Sequence, residues 1–200
     1  MVDFSSLEGQ KFGCIVADPP WRFRVRKEHK EVRNPDRHYE TMSLEEIEAM
    51  PVKTIADKAC HLMMWVPGPL LVIGAHLPIM RAWGFKPSAS GFVWIKLRRN
   101  FDAATFNPLM ETDLHLGLGM TTRKNAEFAI LGRRGSARRK AKDVPEVMLS
   151  PVRQHSRKPD EFFRRVERYC DGPYLELFSR QSRAGWTTWG NEAGKFDGNA

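Results

Sequence analysis

The chain has 200 residues, 42% hydrophobic and 28% charged, a size and balance that fit one soluble globular domain with a single core. No apolar run approaches the ~20 residues that cross a bilayer, and the first residues lack the basic-then-apolar layout of a signal peptide. Thirty-two Lys and Arg against 24 acids leave a net charge of +8, which points to a polyanionic partner; Cys14, Cys60 and Cys170, odd in number and far apart, argue against a disulfide framework or a Cys-rich zinc site and for a reducing compartment.

The apolar run 12–17 reads as a short buried strand that stops abruptly in Asp18-Pro19-Pro20-Trp21. In α/β proteins the carboxyl end of a strand is where small molecules bind. The prolines fix φ and leave their carbonyls to accept hydrogen bonds, so the run suits an exocyclic amine beside a base that a ring can stack on. Residues 22–40, with seven Lys and Arg, read as a long mobile loop of the length that is uncommon without a function. Ser43 and Glu46 form a capping-box pattern, predicting a helix over 44–50. A buried strand follows over 61–66, then a helix over 70–83 that Pro78 should kink and Gly84-Phe85 should close. A third strand covers 90–97, and 100–116 reads as a second mobile loop. Gly117-x-Gly119 lacks the third glycine of a dinucleotide loop and the Gly-Lys of a P-loop, so it reads as a turn before a strand over 126–131. Residues 132–142 form a basic turn holding Arg133, Arg134, Arg138, Arg139, Lys140 and Lys142. A short strand at 147–151 precedes a helix opened by Pro159-Asp160-Glu161 and ending near 170. The last elements are a strand at 174–178 and a structured segment at 186–192, with a frayed tail at 194–200. This alternation predicts an α/β fold: one domain over 1–200, core 12–192, with a mostly parallel sheet and helices on both faces.

Other positions carry two readings each. His155 to Pro159, basic and just before a helix start, suits a carboxylate or phosphate, or is an ordinary polar loop. Glu176 within an apolar strand suits ribose hydroxyls, or sits at an exposed edge. Asn191 suits ribose hydroxyls, or is a turn residue after Gly190. Trp186 and Trp189 read as core, and neither a metal-ligand spacing nor a Ser-His-Asp arrangement is legible.

Taken in chain order, Asp18-Pro19-Pro20-Trp21, the run His38 to Ser43, Gly117-Leu118-Gly119, Asn125-Ala126-Glu127, the run His155 to Glu161, Leu175 to Arg180 and Trp189-Gly190-Asn191-Glu192 closely resemble the MT-A family of S-adenosylmethionine-dependent adenine-N6 methyltransferases, over about residues 12–192. The resemblance implies a Rossmann-like methyltransferase fold with permuted motif order, catalytic strand first. It implies that Asp18 and the Pro19 carbonyl, within the catalytic run that includes Pro20 and Trp21, hold the target amine. Asp18 would also lie near the cofactor's methionine end. Lys158 would face the cofactor's carboxylate, Arg180, Asn191 and Glu192 its ribose and adenine, and Glu176 would orient them. Tyr39, Glu127, Arg153 and Ser156 match positions lining the acceptor-nucleotide pocket. The chain departs from the messenger-RNA branch in reading Gln181-Ser182-Arg183 for a His-Asn pair and Glu192 for Gln, and it lacks that branch's zinc-finger segments. It looks like a compact bacterial or phage-type member, cytoplasmic, which makes DNA the expected substrate ahead of RNA. A catalytically silent nucleic-acid-binding subunit is the alternative from another class, and a homodimer or a partner subunit stays open. Trp21 or Tyr39 is expected to stack on the extruded base. The basic loop 22–37 and Arg133, Arg134, Arg138, Arg139 and Lys140 are expected to contact the nucleic-acid backbone.

Overall fold

The computed structural model describes residues 3–22, 41–102, 104, 108–117, 121–154 and 156–198. The loop expected over 22–40 falls outside them from residue 23 on, Tyr39 included, as do His155, Leu118 and Gly119.

Phe12–Ala17 forms strand β1, buried at every position except Gly13. It is the predicted element to the residue, because a six-residue apolar run set between polar Gln10-Lys11 and the Asp18-Pro19-Pro20 stop has few other ways to bury itself. Ala56–Val66 (β2), Lys86–Leu97 (β3) and Ala126–Arg134 (β4) run longer than expected. Their extra residues, such as Asp57, Lys58, Lys86 and Arg133, are exposed and carry no hydrophobic signal, but backbone pairing such as Cys60↔Arg134 and Lys86↔Arg133 continues through this region. Val147–Pro151 (β5), Tyr174–Leu177 (β6) and Trp186–Trp189 (β7) complete one sheet in the order β5-β3-β4-β2-β1-β6-β7. Strand β1 is parallel to β2 and β6, β6 to β7, and β3 to β5. Strand β4 alone runs against its neighbours β2 and β3. The sheet is therefore mostly parallel, with one reversed strand.

Helices cover both faces. Leu44–Glu48 (α1), Val52–Ile55 (α2), Gly68–Val72 (α3) and His76–Ala82 (α4) bury Ile47, Val52, Leu70 and Ile79 on one face, against Ile15, Leu62, Met64 and Leu177. Asp160–Tyr169 (α5) buries Phe162, Phe163 and Val166 on the other, against Cys14, Val16, Met63, Trp65 and Trp94. The two-residue alternation of a strand sends Cys14 and Val16 one way and Ile15 and Ala17 the other.

Local signals mostly hold. Ser43 Oγ accepts from the Glu46 N–H at 3.2 Å, and the Glu46 carboxylate accepts from the Ser43 N–H at 2.7 Å. The helix expected over 70–83 is instead two helices, broken at Gly74 (φ +70°) and not at Pro78. Pro78 is the third residue of α4, where an N–H has no intrahelical partner to lose. The end is as expected: Gly84 (φ +87°) turns left-handed, and the Phe85 N–H reaches the Met80 carbonyl at 2.8 Å. Part of the loop expected over 100–116 is fastened: a 3-10 turn at Glu111–Asp113 packs back so that Asp113 pairs with Arg98 at 2.7 Å. The tail expected to fray is docked through Asp197: Phe196 is 8% exposed and its N–H donates to the Arg180 carbonyl at 3.0 Å, and the Asp197 carboxylate accepts from the Ser182 N–H at 2.7 Å.

Candidate active site

The parallel strands end at one edge of the sheet, and β4 begins there because it is reversed. Asp18 follows β1, Phe178 to Arg180 follow β6, Gly190 to Glu192 follow β7, and Glu127 is the second residue of β4. Asp18 keeps the parity of Cys14 and Val16, the face that α5 covers, so it meets Lys158 from the loop before α5.

Lys158 is the hub. Its Nζ lies 2.6 Å from Asp18 Oδ2 and 3.4 Å from Glu127 Oε2, with its side chain 8% exposed. It also lies 5.3 Å above the Trp65 ring, a cation–π contact that helps hold it without water. Glu127 takes a second ammonium, Lys96 Nζ, at 2.5 Å. The result is a chain of alternating charges, Lys96, Glu127, Lys158 and Asp18. Burial pushes the Asp18 carboxyl up, and the Lys158 ammonium offsets only part of that. Burial also works upward on Glu127, but the Lys158 and Lys96 ammoniums outweigh it and hold the group at about 2. For Lys158, burial pulls down and the two carboxylates prevail, so it stays above the ordinary lysine range.

The prolines are more committed than expected. The Pro19 carbonyl accepts from the Trp21 N–H and the Pro20 carbonyl from the Met42 N–H, both at 2.8 Å. Pro20 is thereby turned into the fold, while Pro19 keeps one carbonyl lone pair. Trp21 corrects a second expectation. It is 4% exposed and its Nε1–H donates to the Trp65 carbonyl at 3.0 Å, so its ring is core and not a stacking surface. The tryptophan locks the turn that aims Asp18.

Arg153 is also turned inward: it pairs with Asp160 at 2.7 Å and donates to the Lys158 carbonyl at 2.7 Å, fastening the loop that carries Lys158. Ser156 in that loop has φ +61°, and its carbonyl faces Lys158 Nζ at 3.4 Å. Across the edge, Phe178 holds φ +63°, a left-handed conformation that a bulky side chain adopts only under constraint. It swings the chain out of β6 and delivers Arg180, which pairs with Glu192 at 2.7 Å. Gly190 permits this, since a Cβ there would stand 2.9 Å from the Ser179 backbone. Asn191 is exposed beside them. Glu176 points to the α5 side with Oε2 buried and without a hydrogen-bond partner. Its burial pushes the carboxyl up to about 7, against the pull of Arg183. The Arg183 guanidinium carbon lies over the Phe163 ring, 3.6 Å from its centre.

The model of the MT-A70 family matches residues 12–192. The chain belongs to that family. It is 26% identical to the type II methyltransferase M.MunI of Mycoplasma sp, over 94% of this chain and 81% of that protein. It is 30% identical to the human N(6)-adenine-specific methyltransferase METTL4, over 92% of this chain and 38% of that protein. It is 28% identical to a putative N(6)-adenosine-methyltransferase MT-A70-like protein of Medicago truncatula, over 91% of this chain and 26% of that protein. The chain thus spans most of one relative and well under half of the other two.

Two further residues belong to the site, Lys96 inside the matched MT-A70 domain and Phe196 just beyond it. Lys96 stands in the apolar run Phe92–Leu97 with the parity of Trp94, and a lone lysine on a buried strand face was the available signal. Phe196 sits between Arg157 and Arg180, whose guanidinium carbons lie 5.4 Å and 5.9 Å from its ring centre. It joins the Lys158 loop to the Arg180 loop. The basic turn does not come to the site. Arg133 and Arg134 end the reversed strand β4 opposite His61 and Cys60, at the edge where the parallel strands begin. Cys60 and Val66 are six residue steps apart along the strand, so the turn stands about 20 Å from the Asp18 edge.

Proposed function

We propose that this chain transfers a methyl group from S-adenosylmethionine to the exocyclic N6 amine of adenine in DNA. The observation that carries the reading is the meeting of the Asp18 turn with Lys158, Glu127, Glu176, Arg180 and Asn191 on one sheet edge, in a domain of the MT-A70 family.

Adenine's amine is a weak nucleophile because its lone pair is delocalised into the ring. Asp18 Oδ2 is held by Lys158, which leaves Oδ1 as an acceptor, and Pro19 keeps one carbonyl lone pair. Each takes one N–H of the amine, which favours a pyramidal nitrogen with its lone pair released. Preorganised acceptors of this kind stabilise the positive charge developing on nitrogen by roughly 3–4 kcal/mol per group. Burial works against the ionised form of Asp18, and the Lys158 ammonium offsets part of that. The surplus proton leaves the nitrogen after transfer, so no base need act first and no covalent enzyme intermediate forms.

S-adenosylmethionine supplies an electrophilic methyl group when bound. The residues present fit it. The Lys158 N–H that meets the Ser156 carbonyl only at 3.4 Å can turn to a carboxylate, the orphaned Glu176 Oε2 suits a ribose hydroxyl, and Arg180, Asn191 and Glu192 border the same side. An adenine inside a duplex must be flipped out to reach Asp18. Buried Trp21 takes no part in stacking on it. RNA is the second reading, supported by 28% identity over 97% of this chain to an N6-methyladenosine RNA methyltransferase of Cryphonectria parasitica, of which the chain spans 55%.

The test is a radiolabelled methyl-transfer assay on duplex DNA, single-stranded DNA and RNA side by side, with nucleoside mass spectrometry. N6-methyladenine should appear in DNA, vanish in Asp18→Ala and persist weakly in Asp18→Asn, which keeps an acceptor oxygen. An active Ala variant, or product in RNA alone, would overturn the reading.

A further inference from the structure

The turn at 133–142 puts a dense positive surface on the sheet edge opposite the candidate active site. Arg133, Arg138, Arg139 and Lys142 are exposed and form no ion pair among the described residues. Exposed Lys86 stands beside Arg133 on the neighbouring strand. Two acids of this edge are already engaged, Asp143 with Arg168 and Asp171 with Lys140 at 3.3 Å, and exposed Asp57 at the start of β2 is matched by its exposed neighbour Lys58. The Lys140 N–H also donates to the Tyr169 carbonyl at 2.7 Å, which pins the turn to the far end of α5. The patch is thus rigidly placed, and its charge is not neutralised locally.

We propose that this turn is a second, sequence-independent nucleic-acid contact, which holds a segment of duplex other than the one whose base enters the active site. The inference rests on the proposed function and adds to it. At about 20 Å, roughly two and a half times the Debye length in physiological salt, the turn's charge neither tunes Asp18 nor steers a base to it. A duplex laid against the Asp18 edge passes beyond the reach of these side chains. A long duplex can fold back, or offer a neighbouring segment, so that both edges are engaged by one polymer. The second contact then raises the effective concentration of target sites without touching the recognised sequence.

The experiment compares the wild-type chain with Arg138→Gln/Arg139→Gln/Lys142→Gln by salt-dependent filter binding. One probe is a duplex of about 12 base pairs; the other, about 500 base pairs, is longer than the ~150 base-pair persistence length. Three lost phosphate contacts should lower the salt slope on the long duplex by about 3, with the loss confined to that probe. Replacement by Arg138→Lys/Arg139→Lys/Lys142→Arg should restore it, because phosphate contact needs charge and not shape. Unchanged melting temperature and cofactor affinity show that the fold is intact. Equal loss on both probes would place the turn in the substrate groove and overturn the proposal, as would no loss on the long duplex. A wild-type chain that binds DNA but methylates none would sink the proposed function and leave this comparison readable.

Discussion

Lys158→Met keeps the aliphatic stem and removes the ammonium that joins Asp18 to Glu127. The wild-type contacts are 2.6 Å and 3.4 Å, made by a side chain only 8% exposed. Removing one partner from a buried pair costs about 3–5 kcal/mol. Asp18 and Glu127 keep 29% and 30% exposure and Glu127 retains Lys96, so water and Lys96 recover part, leaving about 2–3 kcal/mol. At this chain length that is a fall in melting temperature of about 5–10 °C. Wild-type Glu127 is held at about 2, below its ordinary 4.5, so its stabilisation is present above 4.5 and is lost as pH falls toward 2. In the variant both carboxyls rise and protonate sooner, which removes their repulsion. The gap between wild type and variant should therefore be widest near pH ~7.5 and shrink by about pH 4. Asp18→Asn/Lys158→Met should recover part of the loss, since the uncompensated charge on Asp18 is gone. Melting curves across pH on the three proteins decide it. A Lys158→Met chain that melts within about 1 °C of wild type near neutral pH, or a gap that does not narrow on acidification, refutes the charge chain.

Glu176, raised by burial from 4.5 to about 7, has the opposite sign: the stability linked to it is full below 4.5 and is lost as pH rises through about 7. Glu176→Gln should flatten the melting profile between about pH 4.5 and 7, and an unchanged slope would show that another group titrates there. Trp21→Phe, which loses the bond to the Trp65 carbonyl, should lower stability by ~1–3 kcal/mol while leaving the KM for DNA unmoved; a selective rise in that KM would return the ring to a stacking role. Phe196→Ala should weaken S-adenosylmethionine binding about tenfold in calorimetry by loosening the two loops it joins, with DNA affinity unaffected. Equal affinity for the cofactor would leave the tail as mere surface cover.

Several elements were legible because their causes are local. The run 12–17 and its Asp-Pro-Pro stop, the Ser43–Glu46 capping box, the Gly84 stop and the Pro159 start of α5 each depend on residues within one turn or one strand. Pro78 shows where local reading fails: whether a proline breaks a helix depends on where the helix begins, and Gly74 had already moved that start. The motif residues of the site were legible through their resemblance to a family, but their partners were not. Lys158 meets Asp18 across 140 positions of chain, and Lys96 joins through a strand pairing that its own neighbours do not announce.

The amino-acid sequence by itself determined the α/β alternation, the Asp18 turn and the order of the motifs. Tertiary structure alone decided that Trp21 is core, that Phe196 ties the tail to the site, and that the basic turn lies at the wrong end of the sheet to flank the target base. The physical reason is strand direction. An apolar run reads the same whether it is laid parallel or antiparallel, so only the pairing of β4 between β2 and β3 shows that Glu127 joins Asp18 while Arg133 and Arg134 are carried to the opposite edge.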